Sequence, residues 1–118
     1  MEDRIQADIV KYLRKERNTF VYSTPNEGAG RDAKIRTAQL ITMGLFPGVA
    51  DLTVWWHKDN RIVIGYLEVK TKTGRQSPRQ VHFQEMCEDN GIPYHVVRSV
   101  WDVAAYMDFM GFCSGEDK

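Results

Sequence analysis

The chain has few cysteines, no excess of either charge and no long apolar run. Its two cysteines among 118 residues, Cys87 and Cys113, match no metal-ligand spacing and are too few for a disulfide framework. The 16 basic and 16 acidic side chains cancel, so any nucleic-acid-binding surface must be local. No secretory segment, membrane-length apolar run or internal repeat is found in the sequence. We therefore expect a cytoplasmic protein without a membrane partner.

The composition is that of one ordinary globular domain. Apolar residues make up 42% of the chain and charged residues 27%, which is typical of a protein with a packed core. At this length a single domain is expected. We predict that it covers residues 1–110 and that residues 111–118 form a short, frayed polar tail.

Two β-branched and aromatic runs predict a hairpin that gathers charged residues at one end. Residues 52–56 and 62–67 read as strands, with Asp59-Asn60 as the turn between them. In that register Asp51 lies opposite Glu68. Lys70 falls on the same face as Glu68, two residues further along the strand.

Opposed carboxylates destabilise a sheet, and burial increases the cost by desolvating each of them. A divalent cation such as Mg²⁺ resolves the conflict, and a neighbouring lysine can hold a phosphate or pass a proton. An alternative interpretation makes Asp51 a turn residue and leaves Glu68 and Lys70 at a solvated strand end. A register shift of one residue would also move Asp51 to the other face.

The remaining elements complete an α/β pattern. Helices are predicted at 2–17, 33–43, 78–90 and 100–110, and strands at 19–23 and 93–97. Both hairpin faces are largely apolar, so we expect a mixed sheet flanked by helices on both faces, with Trp55 and Trp56 in the core. The strand at 93–97 should run parallel to the strand that carries Glu68.

Several polar residues have both a structural and a functional interpretation. Gln80 completes a capping box with Ser77, or it supports the site. Glu2 favours the positive end of a helix dipole, or it reaches the sheet end with Gln6. Arg31, Lys34 and Arg36 either contact a phosphate backbone or form a solvated face, and Lys72, Arg75 and Arg79 are further candidates for backbone contacts.

The ordered set of motifs resembles a known nuclease family. Asp51 followed by Glu68-x-Lys70 resembles the PD-(D/E)xK signature, with Ala50 at the proline position. The wider pattern is similar to the VRR-NUC (virus-type replication–repair nuclease) family over residues 2–103. It comprises Glu2 and Gln6, a Pro25-Asn26 loop, Gly44-x-x-x-Gly48-x-x-Asp51, Glu68-x-Lys70, Ser77-x-x-Gln80-x-x-Phe83 and Gly91-x-x-x-x-Val96-Val97.

This resemblance implies a restriction-endonuclease-like core and a role for each site residue. Asp51, Glu68 and the backbone carbonyl of Val69 would ligate Mg²⁺ or Mn²⁺, and Glu2 would complete the metal shell. Lys70 would orient or activate water, and Gln80 would support the site. Stand-alone members resemble Holliday-junction resolvases and are expected to be homodimers, with Met107, Phe109 and Phe112 as candidate interface or core residues.

We therefore predict a metal-dependent DNA endonuclease selective for branched DNA, in a bacterial or phage-infected host cell. Within enzymes, the alternative is a sequence-specific restriction-type endonuclease. Outside enzymes, the alternatives are a non-catalytic DNA-binding module and a small α/β domain without a nucleic-acid role.

Overall fold

The order of helices and strands follows the predicted α/β pattern. The computed structural model describes residues 1–24, 38–39, 41–44 and 46–116. The elements of that part are α1 Glu2–Lys11, β1 Val21–Ser23, β2 Leu52–Lys58, β3 Arg61–Val69, α2 Pro78–Asp89, β4 Tyr94–Val97 and α3 Val100–Met110. A π-helical turn, Tyr12–Glu16, extends α1. Most of the helix predicted at 33–43 lies outside the described residues, together with the Pro25-Asn26 loop.

The four strands form one mixed sheet in the order β1-β2-β3-β4. β1 and β3 are antiparallel to β2, whereas β3 and β4 are parallel, as predicted. Asp59 and Asn60 form the hairpin turn with φ of 51° and 62°, the left-handed values that suit a two-residue hairpin loop. Lys58 pairs with Arg61 and Leu52 with Leu67, which confirms the predicted register.

Helices cover the sheet from both sides, which confirms the fold class. On one face α1 and α3 enclose the main core, whose fully buried members include Ile9, Leu13 and Trp56. On the other face α2 contributes Cys87 and Phe83 to a smaller cluster beneath the sheet end that carries the acidic residues. Burial of these apolar side chains is the main stabilising term of the fold.

The second face is covered over only part of its length. Trp55 is 40% exposed, and Phe20, Ile62 and Ile64 beside it are also exposed. The prediction that Trp55 belongs to the core is therefore wrong, whereas Trp56 is fully buried. The physical reason is that α2 packs near Tyr66 and leaves the hairpin-tip half of this face uncovered.

The segment after α3 packs against the hairpin, although we expected a frayed tail. Phe112 is 5% exposed and stacks on Trp56 with ring centroids 4.8 Å apart. Cys113 pairs with His57, to whose carbonyl oxygen its backbone N–H donates at 2.8 Å. Met107 and Phe112 are thus core residues, whereas Phe109 is 87% exposed on α3. In the described part of the chain, no helix is long and apolar enough to cross a membrane.

Candidate metal centre

The hairpin register brings Asp51 and Glu68 together at the end of the sheet. Leu52 pairs with Leu67, so the next position outward places Asp51 opposite Glu68. The Asp51 Oδ2 atom accepts the backbone N–H of Val69 at 2.7 Å. The Asp51 carbonyl oxygen accepts the backbone N–H of Thr24 at 3.2 Å. These two bonds, made through different groups of Asp51, fix it between β1 and β3.

A close backbone approach holds the segment before Asp51 in place. Gly48 has φ of +94°, and a Cβ atom added there would lie 2.5 Å from the Arg79 carbonyl group. Only glycine combines this backbone conformation with such proximity. The start of α2 therefore rests directly against the chain that leads into Asp51.

Glu68 is the most buried charged residue of the site. Its side chain has no solvent exposure. The Oε2 atom accepts a hydrogen bond from Gln80 Nε2 at 2.9 Å and lies 3.4 Å from Lys70 Nζ. The Oε1 atom is buried without a hydrogen-bond partner among the described residues. One oxygen of this carboxylate is thus hydrogen-bonded to Gln80, and the other is available to a ligand.

The electrostatics of the pair disfavour two bare carboxylates. Burial is the main cause that raises the pKa of Glu68 to about 8, and the nearby charge of Asp51 acts in the same direction. The nearby ammonium of Lys70 acts in the opposite direction without cancelling the effect. A second positive charge beside this pair would favour the ionised form of Glu68.

The side-chain amide of Gln80 both caps α2 and contacts the site, so it has both of the roles that the sequence suggests. Its Oε1 atom accepts the backbone N–H of Ser77 at 2.8 Å and completes the capping box of α2. Its Nε2 atom donates to Glu68. The helix cap therefore directs the amide donor at the buried carboxylate.

The other predicted site residues are more dispersed. Val69 lies between Glu68 and Lys70, with its side chain in the core. Glu2 is exposed at the start of α1, and no hydrogen bond or ion pair joins it to the carboxylates within the described part of the chain. Lys72, Arg75 and Arg79 are exposed around the site end. Arg31, Lys34 and Arg36 lie outside the described residues.

Three polar residues near the site were missed by sequence reasoning. Gln76 Nε2 donates to the hydroxyl of Tyr94 at 3.0 Å and to Gln84 Oε1 at 2.9 Å. Burial raises the pKa of Tyr94, and the charge of Glu68 adds to this effect. Arg98 Nη1 donates to the carbonyl oxygens of Thr71 and Gly74, in the loop that carries Lys72. The parallel pairing of β4 with β3, which was predicted, is the signal that places Tyr94 and Arg98 near this edge.

The donor set fits a hard divalent cation. Two adjacent carboxylates offer the oxygen ligands that Mg²⁺ and Mn²⁺ prefer, and one buried oxygen has no hydrogen-bond partner in the part of the chain that the structure describes. No group of three or more His, Cys, Asp or Glu residues with metal-binding geometry occurs within the described ranges. A softer metal that requires such a cluster is therefore a poorer match to this centre.

Solved structures share this architecture. A structure named VRR_NUC domain protein superposes with a TM-score of 0.66 and 16% identity, covering 92% of this chain and 85% of the other. A second, named VRR_NUC domain, gives a TM-score of 0.63 and 22% identity, covering 91% of this chain and 94% of the other. At these identities the likeness concerns the fold. No curated protein sequence matches the chain.

Family membership follows from the sequence match that accompanies this fold. The VRR-NUC domain profile matches residues 1–101, a range that includes Asp51, Glu68, Lys70 and Gln80. The chain therefore belongs to the VRR-NUC family, whose members are nuclease-type domains.

Proposed function

We propose that the chain is a metal-dependent DNA endonuclease that hydrolyses phosphodiester bonds. The observation that carries the proposal is the carboxylate pair of Asp51 and Glu68, in which Glu68 is fully buried and one of its oxygens has no hydrogen-bond partner among the described residues. Such an arrangement is costly unless a cation completes it. A nuclease-type domain would use such a cation in phosphodiester hydrolysis.

Asp51 and Glu68 would hold Mg²⁺ or Mn²⁺, together with the backbone carbonyl of Val69. When bound, the metal would supply charge for the phosphate and lower the pKa of a bound water. Glu2 is proposed as a further ligand only when DNA or metal draws the start of α1 towards the sheet end. The described geometry supports the Asp51–Glu68 pair more directly.

The chain's own residues have distinct roles in this proposal. The Lys70 ammonium lies beside Glu68 Oε2, where it would orient the attacking water or offset the negative charge that develops on the phosphate. Gln80 would keep the Glu68 carboxylate in one orientation and leave its other oxygen to a ligand.

The DNA would be held through its backbone and not through base edges. Lys72, Arg75 and Arg79 are exposed next to the carboxylate pair, where they suit phosphate contacts. Arg31, Lys34 and Arg36 are proposed for the same role. The proposed selectivity for branched DNA and the proposed homodimer with two sites rest on the resemblance to Holliday-junction resolvases. The free cysteines Cys87 and Cys113 suit a reducing cytoplasm.

Cleavage assays test the proposal directly. A four-way junction, a splayed arm and a plain duplex are incubated with Mg²⁺, Mn²⁺ or EDTA, and light scattering gives the oligomeric state. We expect metal-dependent cuts near the branch that are lost in Asp51→Asn, Glu68→Gln and Lys70→Ala. The matched controls Asp108→Asn and Glu85→Gln remove exposed carboxylates of α3 and α2 and should cleave normally.

Each other result has a defined meaning. Equal cutting of all three substrates would keep the hydrolysis and remove the branch selectivity. Cutting at one recurrent sequence would indicate a restriction-type enzyme. Metal-independent binding without any product, or full activity in Glu68→Gln, would contradict the proposed chemistry and favour a non-catalytic DNA-binding module.

A further inference from the structure

A second basic surface lies at the edge of the sheet, away from the basic residues considered above. α1 and β1 border a groove of about 420 Å³, called here the α1 groove. Its lining includes Lys11, Arg14 and Lys15, together with Gln6, Tyr22 and Ser23. Among the described residues, three cations and no acidic side chain line it. In a chain with no net charge, this concentration of one sign is a local feature of the surface.

The cations face solvent because the other side of the same helical segment is buried. Ile9 and Leu13 are fully buried against the sheet, whereas Lys11, Arg14 and Lys15 are exposed. Arg14 Nη2 donates to the carbonyl oxygen of Val21 at 3.1 Å. Since a guanidinium group has five N–H donors, this bond fixes its position and leaves donors for a ligand.

The opposite flank of this helical segment is different. There a cleft between the segment and α3 contains Asp8 and Glu16 as well as Lys11 and Lys15. Lys11 and Lys15 thus line both flanks, but among the described residues only the flank towards α3 also carries carboxylates. The flank towards β1 is therefore the one that favours an anionic ligand.

The α1 groove begins next to the carboxylate pair. Ser23 lines the groove, and its neighbour Thr24 donates its backbone N–H to the carbonyl oxygen of Asp51. β1 lies at one edge of the sheet, while the loop with Lys72 and Arg75 follows β3 on the other side of Asp51. The carboxylate pair therefore lies between two basic surfaces.

The length of the groove suits a polynucleotide strand better than a single phosphate. From Gln6 to Lys15 the helical segment rises about 13 Å at roughly 1.5 Å per residue. One strand of B-DNA places a phosphate about every 3.4 Å along the helix axis. The groove thus matches about four successive nucleotides of one strand.

We propose that the α1 groove binds the sugar–phosphate backbone of a DNA strand that leaves the carboxylate pair, through Lys11, Arg14 and Lys15. This inference rests on the proposed function, because it assigns a second contact surface for the same substrate. A branched DNA can engage this surface with one arm and the loop of Lys72 and Arg75 with another.

Binding in EDTA separates this surface from the metal chemistry. The affinity of the full chain for a labelled four-way junction is measured by fluorescence anisotropy over a range of KCl concentrations. The double variant Lys11→Gln/Lys15→Gln should bind at least tenfold more weakly. The slope of log affinity against log salt should become shallower by about 1.8, since each phosphate contact contributes about 0.9.

Two controls make the result specific. Arg61→Gln removes an exposed cation at the hairpin tip and should leave the affinity and the salt slope unchanged. Lys11→Arg/Lys15→Arg keeps both charges and should restore binding, which a loss of folding would not allow. An unchanged affinity and slope in the glutamine double variant, or an equal loss in Arg61→Gln, would overturn the proposal.

Cleavage measured in parallel tells the two proposals apart. If the wild-type chain cleaves with Mg²⁺ and the glutamine double variant binds as the wild type does, DNA binding by the α1 groove is refuted and the proposed nuclease activity stands. If the wild-type chain does not cleave but the glutamine double variant loses affinity and salt dependence, DNA binding by the α1 groove is supported and the proposed chemistry is refuted.

Discussion

The side-chain amide of Gln80 joins the cap of α2 to the buried carboxylate of Glu68. Its Nε2 atom donates to Glu68 Oε2 at 2.9 Å, and its Oε1 atom accepts the backbone N–H of Ser77 at 2.8 Å. A helix-capping bond thus sets the direction of a donor that the carboxylate pair uses. The position of α2 on the sheet and the orientation of Glu68 are therefore linked.

This link predicts that Gln80→Glu lowers activity while retaining the helix cap. Glutamate still accepts from Ser77, as in the usual capping box, but it offers no donor to Glu68 and adds a like charge. We expect cleavage of the junction to fall about 10- to 100-fold, the usual effect of losing a partner of a metal ligand. Single-turnover rates with Mg²⁺ provide the measurement.

Ser77→Ala is the matched control for that change. It removes the side-chain half of the cap and should cost about 0.5–2 kcal/mol of stability, while the Gln80 donor to Glu68 remains. Its cleavage rate should stay close to that of the wild type. Equal rates for Gln80→Glu and the wild type would show that the orientation of Glu68 does not depend on this amide.

The raised pKa of Glu68 predicts that the metal-free protein loses stability as the pH rises. The pKa in the folded state is about 8, against an ordinary value of 4.5. Between these values the folded state binds more protons than the unfolded chain, so the free energy of unfolding decreases with increasing pH. We expect a decrease of up to about 4 kcal/mol between pH 5 and pH 9, since each unit of pKa difference corresponds to about 1.4 kcal/mol.

Urea unfolding in EDTA at several pH values measures this dependence. Glu68→Gln, which carries no proton to release, should abolish most of it. Glu85→Gln removes an exposed carboxylate of α2 and should retain it. An identical pH dependence in Glu68→Gln and the wild type would assign the effect to another group.

The features that sequence could predict are those encoded by neighbouring residues. The hairpin register followed from Asp59-Asn60 and from the apolar strands on either side, and the structure has the same pairing. The capping box of α2 was equally local. With both in place, the meeting of Asp51 and Glu68 at one sheet end required only the two-residue period of a strand.

The remaining features depend on where distant elements meet. The donor from Gln80 to Glu68 exists because α2 packs close to β3, which no local pattern specifies. Phe112 is buried because the last segment returns to Trp56, and Trp55 is exposed because α2 does not reach the hairpin tip. Such contacts are set by tertiary packing, which overrides local preference.

Arg98 organises the loop that follows Lys70. Its Nη1 atom donates to the carbonyl oxygens of Thr71 and Gly74, so one guanidinium holds both ends of a turn. Arg98→Lys keeps the charge but presents a single ammonium with a different geometry. We expect faster amide exchange at Gly74, whose N–H bonds to Thr71, and an affinity for DNA that falls up to tenfold.

Hydrogen–deuterium exchange and anisotropy in EDTA provide the two readouts for Arg98→Lys. Arg61→Lys, at the exposed hairpin tip, controls for the general effect of an arginine-to-lysine change. If Gly74 keeps its protection in Arg98→Lys, the loop is held by its own turn and not by the guanidinium.

The contact between Gly48 and Arg79 predicts that the approach to Asp51 tolerates no side chain. In Gly48→Ala the new Cβ atom would meet the Arg79 backbone at 2.5 Å, in a residue with φ of +94°. Relief requires α2 and the segment before Asp51 to separate, which would also pull Gln80 away from Glu68. We expect a loss of more than the roughly 1–3 kcal/mol that backbone strain alone costs, with a parallel loss of cleavage.

Gly91→Ala separates the effect of backbone strain from the effect of the steric contact with Arg79. Gly91 also has a positive φ, of +68°, but an added Cβ atom would meet no described residue within 4 Å. Gly91→Ala should therefore lose only the stability that backbone strain costs, and it should cleave the junction at the wild-type rate. Thermal unfolding and single-turnover cleavage are measured for Gly48→Ala and Gly91→Ala. Equal losses of stability and of cleavage rate in the two variants would mean that the Gly48–Arg79 contact neither limits stability nor positions the carboxylate pair.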